Sequence, residues 1–254
     1  MIANLDAVRG VNKRTVELNL ERIGRAPLLV LDANLSDETF VELVQSCARL
    51  RVPVFVEPTD ALAVPRLVSN LRQLTVAGQA SSLLCLSPNL LELTQMVAQF
   101  ERPQSVEQTL AGEDELDRAK RLARTLMDKH LPQLKCLLVT MDSRGVLLAL
   151  RGPMEADQVD QVALLADWEK SVDQQSDIQL KFFPVPKRVE RPISASGAGD
   201  SFAAGFISGL LLGHNLAFSI QRGFQAAQFA LRDRDTISTS LKQLRLVDQV
   251  ENCS

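Results

Sequence analysis

The chain has 254 residues, 46% of them hydrophobic and 23% charged, with a formal net charge of −3. That is enough apolar material for one large core. The charge excludes the broad basic footprint that nucleic acid or an anionic membrane surface requires, so a small anion would need a local site. The four cysteines (Cys47, Cys85, Cys136, Cys253) form no CxxC pair, and only His130 and His214 could add to a metal site. Zinc is therefore not expected, and the cysteines read as small buried hydrophobes in a reducing compartment. No basic stretch followed by an apolar run opens the chain, and the longest apolar run, 206–212, is far too short to span a bilayer. The expectation is a soluble, cytoplasmic protein.

In chain order, 27–33 (PLLVLDA) reads as a buried strand. Asn34 and Ser36 then offer helix-start chemistry, with Asp37 and Glu38 in the first turn and Phe40, Leu43, Val44, Cys47 and Leu50 at helical spacing. A second strand is predicted at 52–56, a helix at 61–74 and a third strand at 82–86. Pro88 suits the first turn of the helix that carries Leu90, Leu91, Leu93, Met96 and Val97. Strand–helix alternation with little polar interruption argues for parallel strands covered on both faces.

Beyond a polar connector at 100–112, a charged amphipathic helix is expected at 113–129. Two strands, 136–140 and 146–150, then flank the turn Asp142-Ser143-Arg144-Gly145 as a hairpin. Residues 151–180 carry seven acids (Glu155, Asp157, Asp160, Asp167, Glu169, Asp173, Asp177) against two basic residues. They read as a solvated insertion with a short helix at 159–168. The chain re-enters the fold at 182–186. Two apolar helices, 198–212 and 216–231, close the chain around Gly213-His214-Asn215. No Gly/Ser linker divides it, so a single domain is expected.

The stretch Ser194-Ala195-Ser196-Gly197-Ala198-Gly199-Asp200-Ser201-Phe202 is the most informative. Glycines at the mouth of a long apolar helix let backbone N–H groups converge on an anion, helped by the helix dipole. Asp200 sits in the first turn, within reach of whatever binds there. Fixed donors stabilise the charge of a transferring phosphoryl group, and a carboxylate can accept the proton of an attacking hydroxyl. Read alone, the same stretch is a Gly-rich helix start with a capping Asp. It is neither a dinucleotide fingerprint nor a Walker A loop.

In context, SGAGDSFAAGF resembles the second signature, DTxGAGDxF, of the ribokinase-like (PfkB) kinases. The resemblance implies that Asp200 is the catalytic base and that Gly197, Ala198 and Gly199 form the anion hole. Ser87-Pro88-Asn89-Leu90-Leu91-Glu92 resembles the PNxxE motif, which implies that Asn89 and Glu92 organise Mg2+ and the ATP phosphates, largely through water. Leu138 to Val146 resembles the VTLGxxGV turn at the nucleotide site, which places Thr140 and Gly145 there. Asp142 stands where that pattern has glycine, and puts a carboxylate near the phosphates. The adenine is expected between the Thr140 turn and residues 224–230.

Leu31-Asp32-Ala33-Asn34-Leu35-Ser36 and Val54-Phe55-Val56-Glu57-Pro58-Thr59-Asp60 resemble the pseudouridine kinase branch. Ser194, where sugar kinases carry an Asp tied to a monovalent-cation loop, fits that branch as well. The implied fold is α/β: a ribokinase-like three-layer αβα architecture with a mainly parallel sheet. The implied reaction moves the γ-phosphate of ATP, with Mg2+, to the 5′-hydroxyl of a nucleoside or sugar. Met1 to Asp6 already resembles the element after the family's lid, and no GGxxxN sugar-binding motif is found. The expectation is thus an N-terminally truncated kinase domain, homodimeric or dependent on the missing segment. The rival is a nucleotide-binding chain without turnover.

Overall fold

The computed structural model describes residues 10–101, 113–152, 161–166, 177–235 and 237–244. The contacts divide into two compact units. One draws on Met1–Asp142, Val146–Ala156 and Trp168–Phe182, the other on Ser143–Gly145, Asp157–Asp167 and Phe183–Ser254.

The first unit is built on a six-stranded sheet whose strands lie side by side in chain order: β1 (Leu29–Asp32), β2 (Val54–Glu57), β3 (Leu83–Leu86), β4 (Cys136–Met141), β5 (Gly145–Arg151) and β6 (Ile178–Pro184). β1 to β4 pair in parallel. The turn 142–144 joins β4 to β5 as the expected hairpin. Each parallel pair is bridged by a helix: α3 (Asp37–Leu50), α4 (Val64–Val76) and, before β4, α5 (Leu90–Phe100) and α6 (Glu115–Thr125). Two short helices precede β1, α1 (Lys13–Leu18) and α2 (Leu20–Gly24), which the hydropathy pattern did not announce.

The inner strands β2 to β5 are buried on both faces, as their unbroken apolar runs require, whereas the edge strands are not: Val30 and Asp32 of β1, read as part of a buried strand, are exposed, and β6 is mostly half-buried. Leu31, Val54, Val56, Leu137, Val139, Leu147 and Ala149 face one core with Phe40, Val44, Leu71, Leu93, Met96 and Leu122 from the helices. Phe55, Cys85, Cys136, Leu138 and Leu148, of opposite parity along the strands, are also fully buried. Cys47, Cys85 and Cys136 are free and buried, and burial pushes the Cys47 thiol up to about 12. Cys253 lies outside the described residues.

Helix starts follow the expected chemistry. Ser36 Oγ accepts the Thr39 N–H at 3.3 Å, Asp114 Oδ2 accepts the Leu116 N–H at 2.8 Å, and Pro65 sits in the first turn of α4. Pro88, expected in the first turn of α5, instead lies one residue before the N-cap, Asn89. The charged helix is straight α only to Thr125. Leu126–His130 is a π-helical turn.

β6 begins at Ile178, inside the segment read as an acidic insertion. Most of that insertion, its expected helix apart from 161–166, the connector 102–112 and the opening Met1–Asp6 lie outside the described residues. No helix among the described residues is long and apolar enough to cross a membrane.

The second unit contains α7 (Ala198–Leu211) and α8 (Leu216–Leu231), packed face to face. Their approach is too close for side chains. A Cβ on Gly205 would meet the Arg222 carbonyl oxygen at 2.6 Å, one on Gly209 the Ser219 Oγ at 2.6 Å, and one on Gly223 the Phe202 ring at 2.7 Å. Phe202 packs edge-on against Phe224, centroids 5.6 Å apart. The buried Arg222 guanidinium donates to Ser208 Oγ (3.1 Å) and to the Leu244 carbonyl (3.4 Å), tying the C-terminal segment to both helices.

Candidate active site

The Gly-rich turn forms an open helix mouth. Gly197 is the N-cap of α7 at φ +75°, a left-handed conformation that costs a residue with a Cβ roughly 1–2 kcal/mol. A glycine here contributes no capping side chain. Ser201 N–H donates to the Gly197 carbonyl at 2.9 Å and Ala198 N–H to the Ala195 carbonyl at 3.3 Å. Among the described residues nothing accepts from the N–H groups of Gly197, Gly199 and Asp200. Helix-terminal donors of this kind, with the positive end of a 14-residue helix behind them, favour an anion. A Cβ on Gly199 would meet nothing within 4 Å, so this glycine is not required by packing. Its bareness suits the close approach of a ligand instead.

Asp200 is exposed in the first turn of α7, and no described residue forms an ion pair with it. A carboxylate locked in a structural pair would be unable to take a proton. This one is open to solvent beside three unengaged amides. The motif pointed to Gly197, Ala198 and Gly199 as donors. In the structure the Ala198 N–H donates to the Ala195 carbonyl, while the Asp200 N–H has no acceptor among the described residues. Only the backbone geometry of the turn could reveal this.

In the first unit, the two other motifs meet. The Thr140 N–H donates to the Pro88 carbonyl at 3.0 Å, and Asn89 and Thr140 form a parallel bridge that carries the pairing with β4 past the end of β3. Asn89 and Glu92 form a capping box. The Glu92 N–H donates to Asn89 Oδ1, and the Asn89 N–H donates to Glu92 Oε2, both at 2.8 Å. Glu92 is 4% exposed. Burial holds its carboxyl above the ordinary carboxylate value, against the opposing Asn89 N–H. Among the described residues no cluster of three or more His, Cys, Asp or Glu could hold a metal ion. The pair therefore fits Mg2+ only indirectly, through water and phosphate oxygens.

The hairpin turn explains two residues. Asp142 is exposed at φ +44°, a conformation that glycine takes freely and that Asp tolerates better than most, which accounts for an Asp in a glycine position. Gly145 sits at φ +144°, where a Cβ would lie 2.1 Å from the Phe183 carbonyl oxygen, so the close passage of the 183–184 backbone demands it. Of the expected adenine-lining residues, Phe224, Ala226 and Ala230 are buried in helix packing. Ala227, Gln228 and Phe229 are half-buried, and Gln228 Nε2 donates to the Lys187 carbonyl at 3.0 Å. Gln225 is the exposed residue of that span.

A clamp between two loops had no sequence signal. Thr59, a β-branched residue, stands at φ +75°, and its Oγ1 accepts the Ala33 N–H at 3.0 Å. Arg66 donates to the Ala33 carbonyl, and Asp32 Oδ1 accepts the Asn34 N–H at 3.0 Å. The loops after β1 and β2, which carry the LDANLS and VEPTD segments, are thus bound to each other.

Residues 171–243 match the model of the pfkB family carbohydrate kinases. The chain is similar to a pseudouridine kinase of Arabidopsis thaliana, 26% identical over 259 residues that cover 95% of this chain and 66% of that protein. In structure it is similar to adenosine kinase of Anopheles gambiae, solved with P1,P4-di(adenosine-5) tetraphosphate (TM-score 0.61, 18% identity, 88% of this chain and 56% of that one). It is similar as well to ribokinase of Cryptococcus neoformans, solved with ADP (TM-score 0.61, 16% identity, 87% and 61%). It spans about two thirds or less of the length of each. The pfkB match thus falls on residues 171–243, and the α/β fold is similar to that of the ribokinase and the adenosine kinase.

Proposed function

We propose that this chain carries the phosphate-binding and catalytic elements of an ATP-dependent nucleoside kinase, with pseudouridine as acceptor and pseudouridine 5′-phosphate and ADP as products. The observation that carries the reading is the exposed carboxylate of Asp200 beside the three open N–H groups of α7. Asp200 accepts the proton of the 5′-hydroxyl as that oxygen attacks the γ-phosphorus and the bond to the β–γ bridging oxygen breaks. The amides of Gly197, Gly199 and Asp200 hold the charge on the phosphoryl oxygens. Mg2+, when bound, would supply charge neutralisation on the phosphates, and Asn89 and Glu92 would be the residues that support it, through water. The motif resemblance assigns Thr140, Gly145 and Ala198 to the nucleotide. The likeness to the Arabidopsis thaliana pseudouridine kinase along 95% of this chain supports the choice of acceptor. A cytoplasmic location, and either a homodimer or assembly with a further segment, belong to the same reading.

The test is product formation from pseudouridine, uridine and ribose with Mg-ATP, alongside calorimetry of Mg-ATP binding. Asp200→Asn is expected to reduce turnover by about 10³-fold or more, with ATP affinity changed less than threefold. Equal turnover with and without the substitution would remove Asp200 from the mechanism. Binding of Mg-ATP without product would favour the second reading, a nucleotide-binding chain without turnover. The exposed Asp142 carboxylate in the hairpin turn favours that reading, because it would repel phosphate.

A further inference from the structure

In the second unit, α7 and α8 run antiparallel: Gly209 faces Ser219, Gly205 faces Arg222, and Phe202 packs on Gly223 and Phe224. The last turn of α8 therefore lies beside the first turn of α7, at the open helix mouth. The segment that leads into the mouth is tied to that same turn. Gln228 Nε2 donates to the Lys187 carbonyl at 3.0 Å, and the Ile193 N–H donates to the Leu231 carbonyl at 2.8 Å. Residues 187–193 and 231–235, distant in sequence, are thus brought together next to Gly197–Asp200.

Five cations stand there, Lys187, Arg188 and Arg191 on the first stretch and Arg232 and Arg234 on the second, and all are exposed. None has a side-chain hydrogen bond or ion pair among the described residues. Arg49 and Arg121 of the first unit, by contrast, are paired with Glu42 and Glu113. From 183 to 244 the chain carries seven basic residues against four acidic ones, although its net charge is −3. The positive excess is local.

Helix C-termini attract cations, but these are not spent as caps. The carbonyls of Phe229, Ala230 and Leu231 already accept the N–H groups of Arg232, Asp233 and Ile193. The interspersed acids do not engage the cations either. Asp233 Oδ1 accepts the Asp235 N–H at 3.3 Å, and the Ser238 hydroxyl, with neighbouring N–H groups, holds its carboxyl below the ordinary value. Glu190 and Asp235 are exposed and pair with none of the five. At the mouth itself, the Asp200 carboxylate repels any phosphate that the open amides attract. Unpaired guanidinium groups beside it offset that repulsion and match phosphate oxygens in geometry.

We propose that Arg191 and Arg232 are nucleotide-binding residues, which hold the phosphate chain behind a γ-phosphate seated at the amides of Gly197, Gly199 and Asp200. Of the five cations, these two adjoin the tie between Ile193 and Leu231 that brings both stretches to the mouth. The proposal rests on the reading of the mouth as the phosphoryl site, and adds to it the residues that recognise the rest of the chain of phosphates.

The test is calorimetry of Mg-ATP on the whole chain. Arg191→Gln and Arg232→Gln are each expected to weaken binding at least about threefold, and together at least about tenfold. Arg191→Lys is expected to keep more affinity than Arg191→Gln, because it keeps the charge and loses only the fork. Raising the salt from 0.1 to 0.5 M should weaken wild type more than the double variant. Lys13→Gln, an exposed cation of the first unit, makes the same change in net charge and should leave binding unchanged. Wild-type binding that survives both glutamine variants within twofold would overturn the proposal and leave the mouth as the phosphoryl site. An equal loss in Lys13→Gln would overturn it as well, by assigning the effect to overall charge. A wild-type chain that binds no Mg-ATP at all removes the reading of the mouth, and this proposal with it.

Discussion

Asn89 and Glu92 hold each other by reciprocal bonds, each backbone N–H donating 2.8 Å to the other's side-chain oxygen. The Glu expected to organise a metal is thus, first, the residue that starts α5, and it does so from a buried position. Its carboxyl is raised mainly by that burial, with the nearby Asp60 charge adding a smaller push.

A pH dependence with a definite sign follows from that shift. The folded state keeps the Glu92 proton to higher pH than the unfolded chain does, so folding takes up protons between the ordinary value of 4.5 and the raised one. The contribution of Glu92 to stability is fully present below 4.5 and is lost as pH rises through that window. Urea denaturation between pH 4 and 7 should show wild type losing stability relative to Glu92→Gln as pH rises, with the two within about 1 kcal/mol at pH 7. A difference that stays constant over the whole range would contradict the burial argument.

Gly199→Ala separates stability from ligand binding. The added methyl meets no atom of the chain, and alanine in a helix is favoured over glycine by up to about 1 kcal/mol. Thermal denaturation should show a protein at least as stable as wild type. Calorimetry should show Mg-ATP bound at least tenfold more weakly, because the methyl stands where the phosphate must approach. Retained affinity would detach the helix mouth from the nucleotide.

Gly209→Ala is the opposite case. Its Cβ would lie 2.6 Å from Ser219 Oγ and 2.8 Å from Ser219 Cα, both held by α8. Forcing the helices apart is expected to cost about 1–3 kcal/mol, which chemical denaturation would read directly. The comparison with Gly199→Ala, two glycines in one helix with opposite expected signs, makes the packing argument exact in its direction.

Thr59 carries strain and a bond together. Thr59→Gly relieves the left-handed conformation and loses the Ala33 bond, two terms of about 1 kcal/mol each that nearly cancel. Thr59→Val keeps the strain, loses the acceptor, and should be destabilised by about 1–3 kcal/mol. Denaturation of both variants checks the order. A valine variant as stable as the glycine one would show that the hydroxyl bond contributes nothing.

The sequence by itself determined whatever is local. Unbroken apolar runs marked the inner strands β2 to β5, since strands covered on both faces need no alternation. Ser36 marked a helix start because a short side-chain oxygen meets an orphan N–H there. The glycines around Ala198 marked an open helix mouth, with Asp200 in its first turn. Tertiary structure decided what depends on neighbours distant in the chain. The bridge of Asn89 to Thr140 comes from the register of β3 against β4. The burial of Glu92 and the meeting of the Ala33 and Thr59 loops come from packing, to which periodicity is blind. The π turn at Leu126–His130 left no mark in a pattern that fits an α-helix equally well. Local chemistry is written in residue types and spacing, whereas long-range register and burial are properties of the assembled core.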